Sequence, residues 1–332
     1  MSQAMPSGAA DQILAWLRAA SAPVSGEELA QRLGVSRAAV FKHVEALRQR
    51  GYTIDARHAQ GYLLAGTPDR LDAAELGPHL TGTWRRIEWH AEIDSTQRAA
   101  RDLARAGASE GTTVVAESQT AGRGRLGRSW HSPPGVNAYF SLVLRPALAA
   151  GVVPQLGLVL GLAVAVAVRE ATGLAPMLKW PNDVLVDGRK IVGILTEMEA
   201  ELERVHFVVA GIGVNVNAAA ESFPDDLRDK VTSLAIARGR PIDRVAFMAR
   251  LLATLETYYR RFANGGFGPL RPEWERVSAL TGRTVVVRSP DGDVGGRVDG
   301  LDDDGALRLV DAQGTTRRVV AGEVTILGGY AA

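Results

Sequence analysis

The chain has no cysteine in 332 residues, which excludes disulfides and thiolate metal centres and fits a reducing compartment. Its six histidines are scattered, with no His-x-x-x-His pair to suggest a helical metal site. No Gly-Lys-Ser/Thr follows a glycine-rich stretch, so any nucleotide is held by something other than a Walker-type loop. No uncharged apolar run is long enough to span a bilayer. The longest, Leu156 to Val168, is thirteen residues and suits a buried helix. The first ten residues lack the basic and apolar segments of a secretory signal and read as a loose tail. The net charge of +1 excludes a globally basic nucleic-acid binder, so any such surface must be local. A cytoplasmic protein of two or three domains, with no membrane partner, is the expectation.

What is present is most informative at residues 121–130, Ala-Gly-Arg-Gly-Arg-Leu-Gly-Arg-Ser-Trp. Glycine lets backbone approach closely and arginine supplies forked, permanent charge, so this loop is suited to wrapping an anion. The spacing Gly122-x-Gly124-x-x-Gly127 matches a dinucleotide fingerprint as a pattern only. It runs into His131-Ser132-Pro133-Pro134-Gly135, which no helix interior tolerates, and no acidic residue occurs between Gly127 and Arg169 to hold a ribose. A solvated arginine turn is the plain alternative.

The amino-terminal sixty-odd residues form a unit of their own. Ile13, Leu14 and Leu17 mark a first helix. Ser25 with Glu28 makes a capping box for a second, which Gly34 ends. Ser36 caps a third, whose Val40, Val44 and Leu47 should face inward while Arg37, Lys42 and Arg48 stay available outside. Short apolar segments around Tyr52–Ile54 and Tyr62–Leu64 follow as a β-wing. This pattern is a winged helix-turn-helix, with Ser36, Arg37 and Lys42 the candidates for DNA contact. A protein-interaction module of the same shape is the alternative.

Strand-like and helix-like segments alternate from residue 84 to about 270, giving an α+β domain on a mixed sheet with helices largely on one face. Asp187-Gly188 is a strong hairpin signal. From residue 281 onward short strands separated by turns at Pro290-Asp291-Gly292 and Asp303-Asp304-Gly305 suggest a small SH3-like β-barrel. The expected domains are 1–66, 67–276 and 277–332.

Taken singly, the candidate site residues have ordinary readings. Lys190 is a hairpin-turn lysine in water, Trp130 a core aromatic, Ser95 a helix cap, and Asn182 with Asp183 an Asx turn after Pro181. Taken together, four motifs in order are specific. They are Ile93-Asp94-Ser95-Thr96, the stretch from Glu117 to Trp130, the pair Lys179-Trp180-Pro181-Asn182-Asp183 and Arg189-Lys190-Ile191-Val192-Gly193, and Gly211-Ile212-Gly213-Val214-Asn215. The chain thereby resembles biotin protein ligases from about residue 11 to 328. With the helix-turn-helix in front, it is similar to the bifunctional type that also represses a biotin operon.

The resemblance implies a class II synthetase-like biotin/lipoate ligase domain. Its substrates would be biotin and ATP with Mg²⁺, and its product biotinyl-5′-AMP. The biotin carboxyl carrier protein of acetyl-CoA carboxylase would be the acceptor. Operator DNA and a ligand-bound homodimer are the other implied partners. Lys190, Arg125 and Asp183 would be catalytic. Ser95, Thr96, Gln119, Gly122, Arg123, Arg125, Lys190 and Gly193 would hold biotin, with the biotin ring close to Gly193. Arg125, Arg128, Trp130, Lys179, Asn182 and Asn215 would hold the nucleotide, with Trp130 as a flat face near the adenine and Asp183 on the metal. A ligase without operator control, a biotin sensor without ligase activity, and a lipoate ligase are the alternatives. The complete set of cations and the ureido-type polar set argue against the last two. Leu126 and Ser129 depart from loop positions that are often basic in relatives.

Overall fold

A computed structural model of the chain describes residues 8–57, 59–201, 204–289 and 292–327. The tail up to residue 7, and Pro290-Asp291 of one expected turn, lie outside them. The chain divides into two compact units, residues 1–69 and 70–332.

In the first unit, α1 (Ala9–Ala19), α2 (Gly26–Leu33) and α3 (Arg37–Gln49) are followed by the antiparallel pair β1 (Thr53–Arg57) and β2 (Gly61–Gly66). The caps act as the local chemistry requires. Ser25 Oγ accepts from Glu28 N at 3.1 Å and Ser36 Oγ from Ala39 N at 3.2 Å, while Gly34 takes a left-handed φ of 70°. Ile13, Leu29, Val40, Val44 and Leu47 are fully buried between the helices. Arg37, Phe41 and Lys42 share the exposed face of α3. Arg48 is not left available as expected. Its guanidinium donates to Ile54 O and pairs with Glu45, because β1 brings a free carbonyl within its reach.

The second unit comprises α4 (Ala73–Leu76), β3 (Ile87–His90), α5 (Thr96–Arg105), β4 (Thr113–Ala116), β5 (Ala138–Leu144), α6 (Pro154–Thr172), β6 (Met177–Lys179), β7 (Asp183–Val186), β8 (Arg189–Glu201), β9 (Arg204–Val214), α7 (Leu234–Arg238), α8 (Arg244–Gly265) and α9 (Arg271–Glu275), then β10 (Thr284–Ser289), β11 (Gly292–Leu301), β12 (Leu307–Val310), β13 (Thr316–Val319) and β14 (Glu323–Ile326). A seven-stranded mixed sheet has the order β3-β4-β5-β9-β8-β7-β6, with only β3 and β4 parallel. The carboxy-terminal strands form an SH3-like five-stranded antiparallel sheet, β13-β12-β11-β10-β14.

Side chains alternate across the sheet, and the alternation divides its faces chemically. Phe140, Leu142, Val208, Ala210 and Ile212 point towards α6 and α8 in the main core. On the opposite face Val143, Phe207 and Val209 pack only against α5. The same face presents Ser141, Gly211 and Gly213, and beyond α5 it is left shallow. That half-covered face carries the site. Helix α6 is apolar from Leu156 to Val168, and that stretch is largely buried within the unit, while Arg169 and Glu170 near its end are exposed. The SH3-like sheet shares the main core, since Val285, Leu301, Leu307 and Leu309 belong to the same cluster as Leu178 and Trp180. Leu178 also bonds to Val277 O and Ala279 N, at 2.7 and 2.8 Å.

A buried ion pair ties α8 to the sheet. Arg244, 1 % exposed, donates to Glu117 Oε2 and to Asn137 O, both at 2.9 Å. Glu117 Oε1 accepts from Leu71 N and Trp89 Nε1. Arg244 opens a helix, where the macrodipole disfavours a cation, so the carboxylate partner is essential. Glu117→Ala should cost about 3–5 kcal/mol of stability by stranding a buried charge. A loss below about 1 kcal/mol in urea unfolding would contradict that role for the pair.

Candidate active site

The site is built on three sheet glycines and a small hairpin. Residues 122–130 fold back on themselves, with Trp130 N bonded to Gly122 O at 2.9 Å, Gly124 N to Arg128 O at 2.7 Å, and a bridge between Arg123 and Ser129. The tip is a single 3-10 turn, Arg125–Gly127, in which exposed Leu126 takes a φ of 55°. A bulky residue in the left-handed region is uncommon. Gly122 is required sterically: a methyl group there would lie 2.6 Å from Trp130 O.

The hairpin lays the Trp130 indole flat on the cross-strand pair Gly193 and Gly213. A methyl group on Gly213 would come to 2.5 Å from the indole, and one on Gly193 to 2.6 Å. Trp130 therefore approaches Gly193 closely, and Gly193 also lines the smaller of two cavities beside it. Trp130 is half-buried and lines two adjoining cavities rather than sitting in the core.

The smaller cavity is lined by Ser95, Thr96, Gln119, Arg123 and Gly193 among others. Ser95 heads α5, yet its side chain makes no capping bond, and Asp94 Oδ1 accepts the Ser95 N–H instead. Ser95 Oγ is thus buried without a hydrogen-bond partner, an unsatisfied group that a polar ligand would complete. Thr96 N donates to Gln119 Oε1 at 2.9 Å, and Gln119 Nε2 donates to Ser132 Oγ at 3.0 Å. Arg123 leans on Glu197 at 3.4 Å.

The larger cavity is lined by Arg128, Lys179, Asp183, Asn215 and, from the SH3-like sheet, Glu323. Five residues line both cavities: Gly124, Arg125, Trp130, Asn182 and Lys190. Two of them are cations. Lys190 reaches this junction because Asp187 and Gly188, with φ of 50° and 73°, close a tight β7–β8 turn just before it. Its Nζ lies 2.7 Å from Asp183 Oδ1 and 5.5 Å from the Trp130 ring centre. This ion pair is the one contact shown for that buried Asp183 oxygen, which accepts no hydrogen bond among the described residues. Arg125 Nη1 donates to Asn182 Oδ1 at 2.9 Å, and Asn182 Nδ2 donates to Ile194 O. Burial lowers the Arg125 pKa, partly offset by Asp183.

Two further candidates that line the larger cavity also have partners within the protein. Arg128 is paired with Glu323 of β14, fastening the hairpin to the SH3-like sheet. This contact holds the Glu323 carboxyl below its ordinary range. Asn215 donates through Nδ2 to Thr232 O, which anchors the loop beside the larger cavity. Gln97, Ser141 and Glu197 were not singled out from sequence, although a lone serine in the apolar strand Ala138–Leu144 is a signal for a polar floor.

The chain matches the Biotin/lipoate A/B protein ligase family at residues 89–215, an HTH domain at 10–63 and the Biotin protein ligase C terminal domain at 280–327. It is 42 % identical to the Bifunctional ligase/repressor BirA of Bacillus subtilis over 88 % of this chain and 90 % of that one. The chain belongs to the bifunctional ligase/repressors of the biotin protein ligase family. The Escherichia coli protein of the same name is 32 % identical over 91 % of this chain and 92 % of its own length. Among solved structures, a biotin protein ligase from Aquifex aeolicus in complex with biotin and ATP superposes with a TM-score of 0.64. It is 32 % identical and covers 73 % of this chain and 99 % of its own.

The glycine pair makes the hairpin testable. Gly213→Ala should lift the indole and speed tryptic cleavage at Arg123, Arg125 and Arg128 several-fold. Gly124→Ala, whose methyl group meets nothing closer than 3.4 Å, should leave the rate near that of the parent. Equal rates in the two variants would mean that Trp130 does not hold the hairpin down.

Proposed function

We propose that the two cavities hold the two substrates of a biotin protein ligase and that their shared wall is where these react. The smaller, polar-floored cavity takes biotin and the larger takes ATP. The biotin carboxylate oxygen attacks the α-phosphorus and pyrophosphate leaves, giving biotinyl-5′-AMP. A lysine amine of the biotin carboxyl carrier protein then attacks the acyl carbon, loses a proton and displaces AMP. The observation that carries this reading is that Lys190 and Arg125 line both cavities at once.

Carboxylate and phosphate repel one another, and fixed cations between them offset the repulsion as negative charge builds on the transferring oxygens. Lys190, a compact point charge, bridges the two anions, while Asn182 holds the Arg125 fork in place. Arg123 closes the biotin side, and Lys179 and Arg128 attract the nucleotide phosphates. The hairpin shields the mixed anhydride from water. Among the described residues no group of three or more metal-binding side chains exists. A carboxylate lining the larger cavity, Asp183, fits the way magnesium is usually held, by one or two carboxylates with substrate phosphates. When bound, Mg²⁺ supplies charge neutralisation on the phosphates. The residues given these roles are our assignments, supported by Lys190, Arg125 and Asn182 lining both cavities and the others lining one of them.

The exposed Arg37 and Lys42 on α3 support DNA binding by the first unit, with biotinyl-5′-AMP as corepressor of a ligand-bound homodimer on operator DNA.

Intact mass after incubation with biotin, MgATP and a carrier domain should show one added biotin. Lys190→Ala should lower ATP–pyrophosphate exchange by at least about a hundredfold, and near-parent exchange would remove Lys190 from the chemistry. Arg37→Ala with Lys42→Ala should weaken ligand-dependent operator binding about tenfold or more at fixed salt, with ligation intact. An unchanged gel shift would mean that α3 does not enter the groove.

A further inference from the structure

Behind the biotin cavity runs a hydrogen-bond chain in which the positions of the protons are forced. Gln97, 3 % exposed, points its Nε2 at two groups that only accept: Glu197 Oε2 at 3.0 Å and the Val209 carbonyl at 3.1 Å. The amide cannot be flipped without setting oxygen against oxygen. Its Oε1 must therefore face Ser141, whose hydroxyl donates to it at 3.2 Å. Gly211 leaves room for that amide oxygen, which a methyl group would strike. Ser141 Oγ lies 2.9 Å from Thr96 Oγ1. With the serine proton committed to Gln97, the proton between the two hydroxyls has to come from Thr96. The other acceptor within Thr96's reach is Gln119 Oε1 at 3.2 Å, also inside the protein. Gln119 is fixed as well, because its oxygen faces the Thr96 N–H.

We propose that Gln97 and Ser141 are specificity-determining positioning residues that make Thr96 Oγ1 an acceptor, and not a donor, towards the ligand. For Thr96 to donate outward, two hydroxyl oxygens would face each other at 2.9 Å without a proton between them. Otherwise Ser141 would have to turn and leave the buried Gln97 oxygen unpaired, which costs far more than an ordinary hydrogen bond returns. Beside Thr96, Ser95 Oγ is buried and unpartnered, with its proton free to donate. One forced acceptor next to one free donor selects a ligand that presents an N–H beside a carbonyl, as a cyclic urea does. This inference rests on the biotin reading above and goes beyond it by naming what sets the polarity of the pocket.

The test uses the full chain, biotin, and two biotin analogues in which one or the other ureido N–H is replaced by a ring oxygen. Dissociation constants are measured by calorimetry without ATP. The parent should bind at least one analogue ten- to a hundredfold more weakly than biotin. In Gln97→Met and in Ser141→Ala the constraint from Ser141 is removed, and Thr96 keeps only the longer contact to Gln119 Oε1, at 3.2 Å, to compete with donation towards the ligand. The ratio for that analogue should then fall to about threefold or less, with biotin itself weakened. Two variants are used so that a folding defect in one does not decide the matter, and thermal melts accompany both. A parent that binds both analogues as tightly as biotin would overturn the proposal. So would variants that weaken all three ligands equally and keep the parent's ratio. A parent that binds no biotin would overturn the biotin reading and this proposal with it, and that result is distinct from either of the others.

Discussion

The Trp130 indole lying on Gly193 and Gly213 is the contact on which the rest of the site depends. Trp130 ends the hairpin that carries Arg123, Arg125 and Arg128, so the place where its ring rests decides where three cations point. The same ring separates the two cavities and faces Lys190. Two side-chain-free positions paired across β8 and β9 leave a flat shelf on an otherwise pleated surface. A strand glycine normally weakens packing, and here the missing side chains are replaced by an aromatic from elsewhere in the chain.

Around that shelf the electrostatics are arranged in opposition. Lys190 is balanced by Asp183, Arg123 by Glu197, and Arg128 by Glu323, while Arg125 is held by the neutral Asn182 and partly desolvated. Each acidic partner keeps its cation near the junction before substrates arrive, and arriving anions compete for charges already in position. Such preorganisation is the feature that lowers a barrier between two like-charged reactants. The SH3-like sheet enters this arrangement directly, since Glu323 lies on β14. That contact gives the carboxy-terminal module a role at the hairpin that its own sequence did not declare.

Much of this was legible before any coordinates. The Ser25 and Ser36 caps, the Asp187-Gly188 turn, the buried run in α6 and most strands follow from rules that operate within a few residues. The cluster of glycines and arginines at 122–128 pointed to an anion site from the residue types alone. Arg48 was misjudged because its partner, Ile54 O, arrives from the wing. The contact of Trp130 with Gly193 was not read from the sequence because the two lie 63 positions apart, and no periodicity reports that. Gln97, Ser141 and Glu197 are ordinary polar residues until α5 and three strands place them in a line.

Sequence alone determined the local conformations and the chemical inventory, because caps, turns and alternation depend on near neighbours. Only the tertiary structure decided the register that pairs Gly193 with Gly213, the side of the sheet left open by α6 and α8, and the direction of the protons behind Thr96. Those depend on which backbone stands opposite which, and that is settled when the whole sheet assembles around one core.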